Sequence, residues 1–216
     1  MTDFSHLNPE QQRAVYQTDG PLLVLAGAGS GKTRVITYRI AYLLENGVSA
    51  SDILALSFTN KAANEMRERV TQLSGPRIQG AVLSTFHSLG LRFLREESEA
   101  AGLHRGFTIL DEGDQVDIAR QLITEVGFDS EQYDARLVHG LLSHYKSQFL
   151  RPDPKRGGLD GVAARVAPLY GRRLRAMNAV DFDDLISQPV WLLEADKDIA
   201  YRWAGRFKYV MVDEYQ

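Results

Sequence analysis

The chain has 216 residues, 25 Lys and Arg against 28 Asp and Glu, and a formal net charge of −3. That length allows one large or two small domains with ample core. The balanced charge supplies no global basic field, so any nucleic-acid contact must come from local patches or stacking. The chain has no cysteine, which excludes disulfides, thiolate zinc sites and a cysteine nucleophile. No apolar run reaches the roughly 18 residues that span a bilayer, and the amino terminus, Met-Thr-Asp-Phe-Ser-His, has no basic flank or apolar stretch of a signal peptide. A cytoplasmic setting is expected.

The first predicted strand, Leu22 to Ala26, runs into Gly27-Ala-Gly-Ser-Gly-Lys-Thr33. This is the layout of a P-loop, with Ala26 standing where the strict pattern has glycine. Its glycines let successive backbone N–H groups converge on a polyphosphate at the positive end of the next helix. Lys32 would reach the β- and γ-phosphates of ATP, and the Thr33 hydroxyl would ligate Mg²⁺. The bland alternative is a glycine-rich turn that binds nothing. The helix that follows is predicted from Lys32 to Asn46, with Ile36, Ile40, Leu43 and Leu44 on one face and Gly47 as its stop.

Ile53 to Phe58 reads as the next strand. A helix opening near Thr59 or Asn60 follows and buries Ala63, Met66, Val70 and Leu73. Ala81 to Ser84 is a short third strand, leading into a helix through Phe86, Leu89, Phe93 and Leu94. Alternating strands and helices predict a parallel sheet with helices on both faces.

From about Leu103 the pattern turns helical, apart from Phe107 to Leu110. Asp111 is a predicted cap, Gly127 closes its helix, and Leu137, Leu141, Leu142 and Tyr145 mark another helical face. Arg151 to Gly158 is a loop. The helix beyond it carries Arg165, Arg172, Arg173 and Arg175, which read as a solvated face more readily than as contacts to duplex phosphate. Asp181 is expected to cap the next helix, and Asp183 and Asp184 point apart on it, so no metal is assigned. The β pattern returns at Tyr209. The division expected is an α/β first part (1–104), an inserted helical subdomain (105–179) and a return to the first domain (180–216).

Tyr209 to Val212 forms a buried-type strand ending in Asp213 and Glu214. By type, an Asp at such a strand end holds the Mg²⁺ water shell beside a P-loop, and an adjacent Glu activates the attacking water. The alternative is an acidic pair opening a solvated turn. Only Tyr215 and Gln216 follow, so the chain is expected to be a fragment cut at this Walker B strand.

Five ordered motifs then carry a family resemblance. They are Leu7-Asn-Pro-Glu-Gln-Gln12 with the P-loop after it, Phe58-Thr-Asn-Lys-Ala-Ala63, Ser84-Thr-Phe-His-Ser88, Asp181-Phe-Asp-Asp-Leu185 and Asp213-Glu-Tyr-Gln216. Together they resemble the superfamily one DNA helicases of the UvrD, PcrA and Rep group, and the run from Thr85 to Leu91 looks most like bacterial Rep. The resemblance implies a RecA-like P-loop NTPase fold and an enzyme that couples MgATP hydrolysis to 3′ to 5′ translocation on single-stranded DNA and unwinding of ss/ds junction DNA. Replication or repair proteins are implied partners, and Ala26 is usual in the group.

The resemblance assigns the adenine edge to Gln11 and the adenine face to Arg34, both of which on sequence alone could be solvated helix residues. It assigns the phosphates to Ala26, Gly27, Ala28, Gly29, Ser30, Gly31, Lys32 and Thr33, with Gln216 closing the last motif at the nucleotide. Lys32, Asp213 and Glu214 are the expected catalytic set, and Thr33 and Asp213 the metal ligands. Phe58, Thr59, Asn60, Thr85 and His87 are expected to touch single-stranded DNA. Against this, Phe58 could be core, Asn60 a cap, and His87 a structural histidine. Arginines and an aromatic residue from later motifs complete the site in this group, so the fragment is expected to hydrolyse ATP poorly. The other readings are a P-loop kinase or small-molecule ATPase, and a nucleotide-binding regulatory module.

Overall fold

The computed structural model describes residues 2–27 and 29–215. They divide into two compact units, Met1–Phe86 with Asp198–Gln216 and His87–Lys197. The first unit begins with α1 (Pro9–Tyr16), opened by a capping box in which Asn8 accepts from the Gln11 amide and Gln11 reaches back to the Asn8 amide. Then come α2 (Lys32–Glu45), β1 (Ile53–Ser57), α3 (Asn60–Ser74) and β2 (Val82–Thr85).

The second unit holds nearly all of α4 (Phe86–Glu96), then β3 (Thr108–Ile109), α5 (Glu112–Glu125), α6 (Ala135–Ser147), α7 (Gly158–Ala176), β4 (Ala179–Val180) and α8 (Asp184–Ala195). The chain closes with α9 (Lys197–Ala204) and β5 (Tyr209–Val212).

The chain is α/β. β1 is the middle strand of a parallel sheet in the order β2-β1-β5, with Leu54 opposite Val82 on one side and Val210 on the other. All five β1 residues are buried, as a central parallel strand requires. Ile53 and Ala55 face α2 and α3, meeting Ile40, Leu43, Met66 and Val70. Because the strands are parallel, Phe58 just past β1, Thr85 at the end of β2 and Asp213 just past β5 lie at three carboxyl ends on one sheet edge, where α/β folds place ligands.

One expectation fails here. Leu22 to Ala26 is not a strand: the segment has no sheet pairing, and Leu23 and Leu25 are 67% and 87% exposed. β2 and β5 flank β1 and each keeps an outer edge, yet the run pairs with neither among the described residues. Apolar sequence makes a strand only where a second backbone supplies partners. Smaller corrections also appear. β1 ends at Ser57, leaving Phe58 outside it, and Leu137 is 57% exposed on α6. The two-residue β4, which pairs with β3, lies in a stretch read as helical.

In the second unit α5, α6 and α7 pack around Leu122, Ile123, Val138, Val162, Val166 and Tyr170. As expected, Asp111 caps α5 by accepting from the Asp114 amide. Gly90 of α4 lies directly against the Leu185 carbonyl of α8, where an added Cβ would sit 1.7 Å from that oxygen. The unit's limits, 87 and 197, are wider than the insertion expected at 105–179.

Candidate functional site

The loop before α2 is shaped by two left-handed glycines, Gly29 at φ 72° and Gly31 at φ 90°, a region that side chains with a Cβ avoid. Between them the Ser30 amide and hydroxyl donate to the Gly27 carbonyl at 3.3 and 2.7 Å. Gly31 caps α2 with backbone alone, so the first helical N–H groups keep their positive end open to the loop. The Lys32 ammonium folds over the turn and donates to the Ala26 and Gly27 carbonyls at 3.2 and 3.3 Å. An anion in the loop would compete for that ammonium. Ala28 and Gln216 lie outside the described residues.

Two further elements reach this loop. The Gln11 amide Nε2 donates to the Ser30 carbonyl at 3.1 Å, and a Cβ added at Gly31 would sit 2.9 Å from the same nitrogen. Arg34 extends beside Gly31 on the first turn of α2, exposed, with its guanidinium carbon 5.9 Å from the Tyr38 ring centre. From the end of β5, Asp213 receives the Thr33 hydroxyl at its carboxylate, 3.2 Å between Oγ1 and Oδ2. The Asp213 amide donates to the Leu56 carbonyl at 2.8 Å, which carries the ladder one residue past β5 and holds the backbone from which the carboxylate projects.

Asp213 is 6% exposed, whereas Glu214 is exposed and takes a left-handed φ of 57°. The turn thus sends the two acidic side chains to different environments. A hydroxyl beside a buried carboxylate is an all-oxygen donor pair of the kind Mg²⁺ takes. No group of three or more His, Cys, Asp or Glu that could hold a metal occurs among the described residues.

Along the same sheet edge Phe58 is 75% exposed and therefore not core. Thr59, not Asn60, caps α3, its Oγ1 accepting from the Ala62 amide at 3.1 Å. Asn60 is exposed at the first helical position. Thr85 is 5% exposed, so its side chain offers no surface to a strand of nucleic acid. His87, on α4 in the second unit, stacks on Phe182 with ring centres 3.9 Å apart. Burial lowers its pKa, partly opposed by Asp183, which favours the neutral imidazole.

Two aspartates of the 181–184 turn, Asp181 and Asp184, hold a lysine. The cap position of α8 falls to Asp183, which makes no side-chain cap bond, and not to Asp181 as expected; Asp181 Oδ1 instead accepts from the Asp184 amide at 2.9 Å, and Lys146 of α6 donates to both carboxylates at 2.5 and 2.9 Å. Burial and the Asp181 charge raise the Asp184 pKa against the pull of Lys146. Lys146 was missed in the sequence because nothing local marks it: its partners lie 35 and 38 residues on. Two of the α7 arginines are partnered, Arg173 with Glu125 at 3.0 Å and Arg165 over the Phe128 ring.

Residues 7–216 match the family described as the UvrD/REP helicase N-terminal domain. The ATP-dependent DNA helicase PcrA of Staphylococcus aureus is 42% identical over 217 residues, covering 98% of this chain and 30% of that protein. PcrA of Bacillus subtilis is likewise 42% identical, covering 98% and 29%. The ATP-dependent DNA helicase UvrD1 of Mycobacterium bovis is 45% identical over 219 residues, covering 97% and 28%. The chain spans under a third of the length of these relatives.

Proposed function

Because the chain belongs to the UvrD/REP helicase N-terminal domain family, we propose that it is the nucleotide-binding part of an ATP-driven DNA helicase with a RecA-like core. The observation that carries this reading is the Thr33–Asp213 contact, which joins the loop to the carboxylate strand across 180 residues of chain. In this reading Gln11 holds the adenine edge and Arg34 its face. The backbone from Ala26 to Gly31 surrounds the phosphates, and Lys32 transfers from its carbonyls to the β- and γ-oxygens. Thr33 and Asp213 hold Mg²⁺, which when bound neutralises phosphate charge. Glu214, turned out by its left-handed backbone, orients the attacking water.

Phe58 is the base-stacking residue for single-stranded DNA, with Thr59 and Asn60 at the start of α3 facing phosphate; Thr85 is left out of this surface. His87 remains a proposed backbone contact. Residues 105–179 are the inserted part of the motor domain, α8 packs on α6 of that part, and α4 lies against α8 through Gly90. The whole protein translocates 3′ to 5′ in the cytoplasm and unwinds ss/ds junctions in replication or repair, while these 216 residues alone bind nucleotide and hydrolyse it slowly.

The test is binding of a fluorescent ADP analogue with Mg²⁺ to the chain and to Lys32→Ala. Binding by the chain, weakened at least tenfold in the variant, is expected; equal binding by both would overturn the site. In the longer protein, single-stranded DNA should stimulate ATP hydrolysis and Glu214→Gln should abolish it. A DNA-independent rate would instead favour a small-molecule ATPase, and indifference to Glu214→Gln a regulatory module.

A further inference from the structure

Arg34 is exposed, and a long flexible cation on a first helical turn makes a poor platform unless something fixes it. Tyr38, one turn further along α2, does so. Its ring lies 5.9 Å from the Arg34 guanidinium carbon, at the outer limit of about 6 Å for a cation over an aromatic face. The ring is itself held from two sides by residues ahead of α1. Phe4 meets it edge-on, with centres 5.9 Å apart at 71°, and Tyr42 meets Phe4 in the same way at 5.9 Å. His6 Nε2 and the Tyr38 hydroxyl lie 2.5 Å apart in a hydrogen bond, with the rings also edge-on.

This cluster packs on the core formed by Leu7, Ala14, Val15 and Val35, so it is anchored to the α1–α2 pair. The Arg39 guanidinium strengthens that pairing by donating to the Ala14 carbonyl at 2.6 Å and to the Gln17 carbonyl. Gly31 brings the two arms together: its absent Cβ would lie 2.9 Å from Gln11 Nε2 and 3.7 Å from Arg34 Cβ. Gln11 and Arg34 therefore flank one point of the loop, the first with an amide already bonded to Asn8 and Ser30 and the second with an exposed planar cation.

We propose that Tyr38, held by His6 and Phe4, is a positioning residue for nucleobase recognition. Its ring carries the Arg34 guanidinium as a plate on which a purine stacks, so base selectivity depends on residues 4–6 as well as on the loop. The chemistry is additive: the ring charge distribution attracts the cation, and a guanidinium held flat can stack on a second π face. The inference rests on the proposed nucleotide site, and the phosphate and base contributions separate experimentally.

Displacement of a ribose-labelled fluorescent ADP from the 216-residue chain by ADP, CDP and inorganic tripolyphosphate, with Mg²⁺, reads both. Tyr38→Leu is expected to weaken ADP about fivefold, the factor for about 1 kcal/mol of cation–π interaction. It should shrink the preference for ADP over CDP and leave tripolyphosphate unchanged. Tyr38→Phe and His6→Ala keep the ring and should retain part of that preference. Equal weakening of ADP and tripolyphosphate by Tyr38→Leu would make Tyr38 merely structural and overturn the proposal. So would an unchanged ADP to CDP ratio. A wild-type chain that binds tripolyphosphate but does not prefer ADP to CDP overturns the proposal alone; one that binds neither probe nor tripolyphosphate overturns the nucleotide site with it.

Discussion

At the scale of residues, environment decides which of several similar side chains carries a role. Asp213 and Glu214 are neighbours, yet one is buried against a hydroxyl and the other exposed, because the backbone turns left-handed between sheet and solvent. Asp181 and Asp184 have the composition of a metal site and are instead occupied by Lys146, whose ammonium their charge stabilises against the cost of burial. His87 gives a pH test. Burial lowers its folded pKa below the ordinary value near 6.5, so the unfolded chain takes up its proton first. Its contribution to stability is fully present above about pH 6.5 and is lost as pH falls through the lower folded value. Urea unfolding at steps from about pH 7.5 to 5 should show the wild type losing stability faster than His87→Phe, which keeps an aromatic partner for Phe182. Parallel curves would remove His87 from the titration.

At the scale of elements, the sequence was most legible where one local signal sufficed. The Ile40, Leu43 and Leu44 stripe made α2, the Asp111 cap made α5, and the alternating glycines made the loop. It was least legible where a distant partner decides. Leu22 to Ala26 has strand composition without a strand neighbour, and β4 is only two residues long, defined by pairing with a segment 71 residues earlier. Gly90 belongs to this second kind: as a glycine inside a helix it looks like a weakness, and only the Leu185 carbonyl against it explains it. Gly90→Ala should cost about 1–3 kcal/mol by overpacking. In a thermal melt each of those costs roughly 2–4 °C in a chain of this size. An unchanged Tm would mean that α4 and α8 can separate freely.

At the scale of the whole molecule, the two units differ in what they hold: the first carries the loop and sheet edge, the second a helical core with a buried ion cluster. Each has one of the two tryptophans, Trp203 in the first and Trp191 in the second. Single-tryptophan variants made by replacing the other with Phe can therefore be melted with MgADP at 100 times its Kd. The Trp203 signal should gain about 2.7 kcal/mol of stability and the Trp191 signal markedly less. Equal gains would show the two units unfolding as one. The legible part of the site was its ends, loop and carboxylates; what joins them, a hydroxyl meeting a carboxylate, no periodicity announces. That joint also sets a timetable for synthesis. Thr33 and Asp213 are 180 residues apart, so at ribosomal speeds of about 5–20 residues per second the loop waits roughly 9–36 s for its carboxylate. Throughout that interval the nascent chain carries its apolar 22–25 run while the strand that ends in Asp213 is still unmade, a window in which a chaperone is the fitting guest.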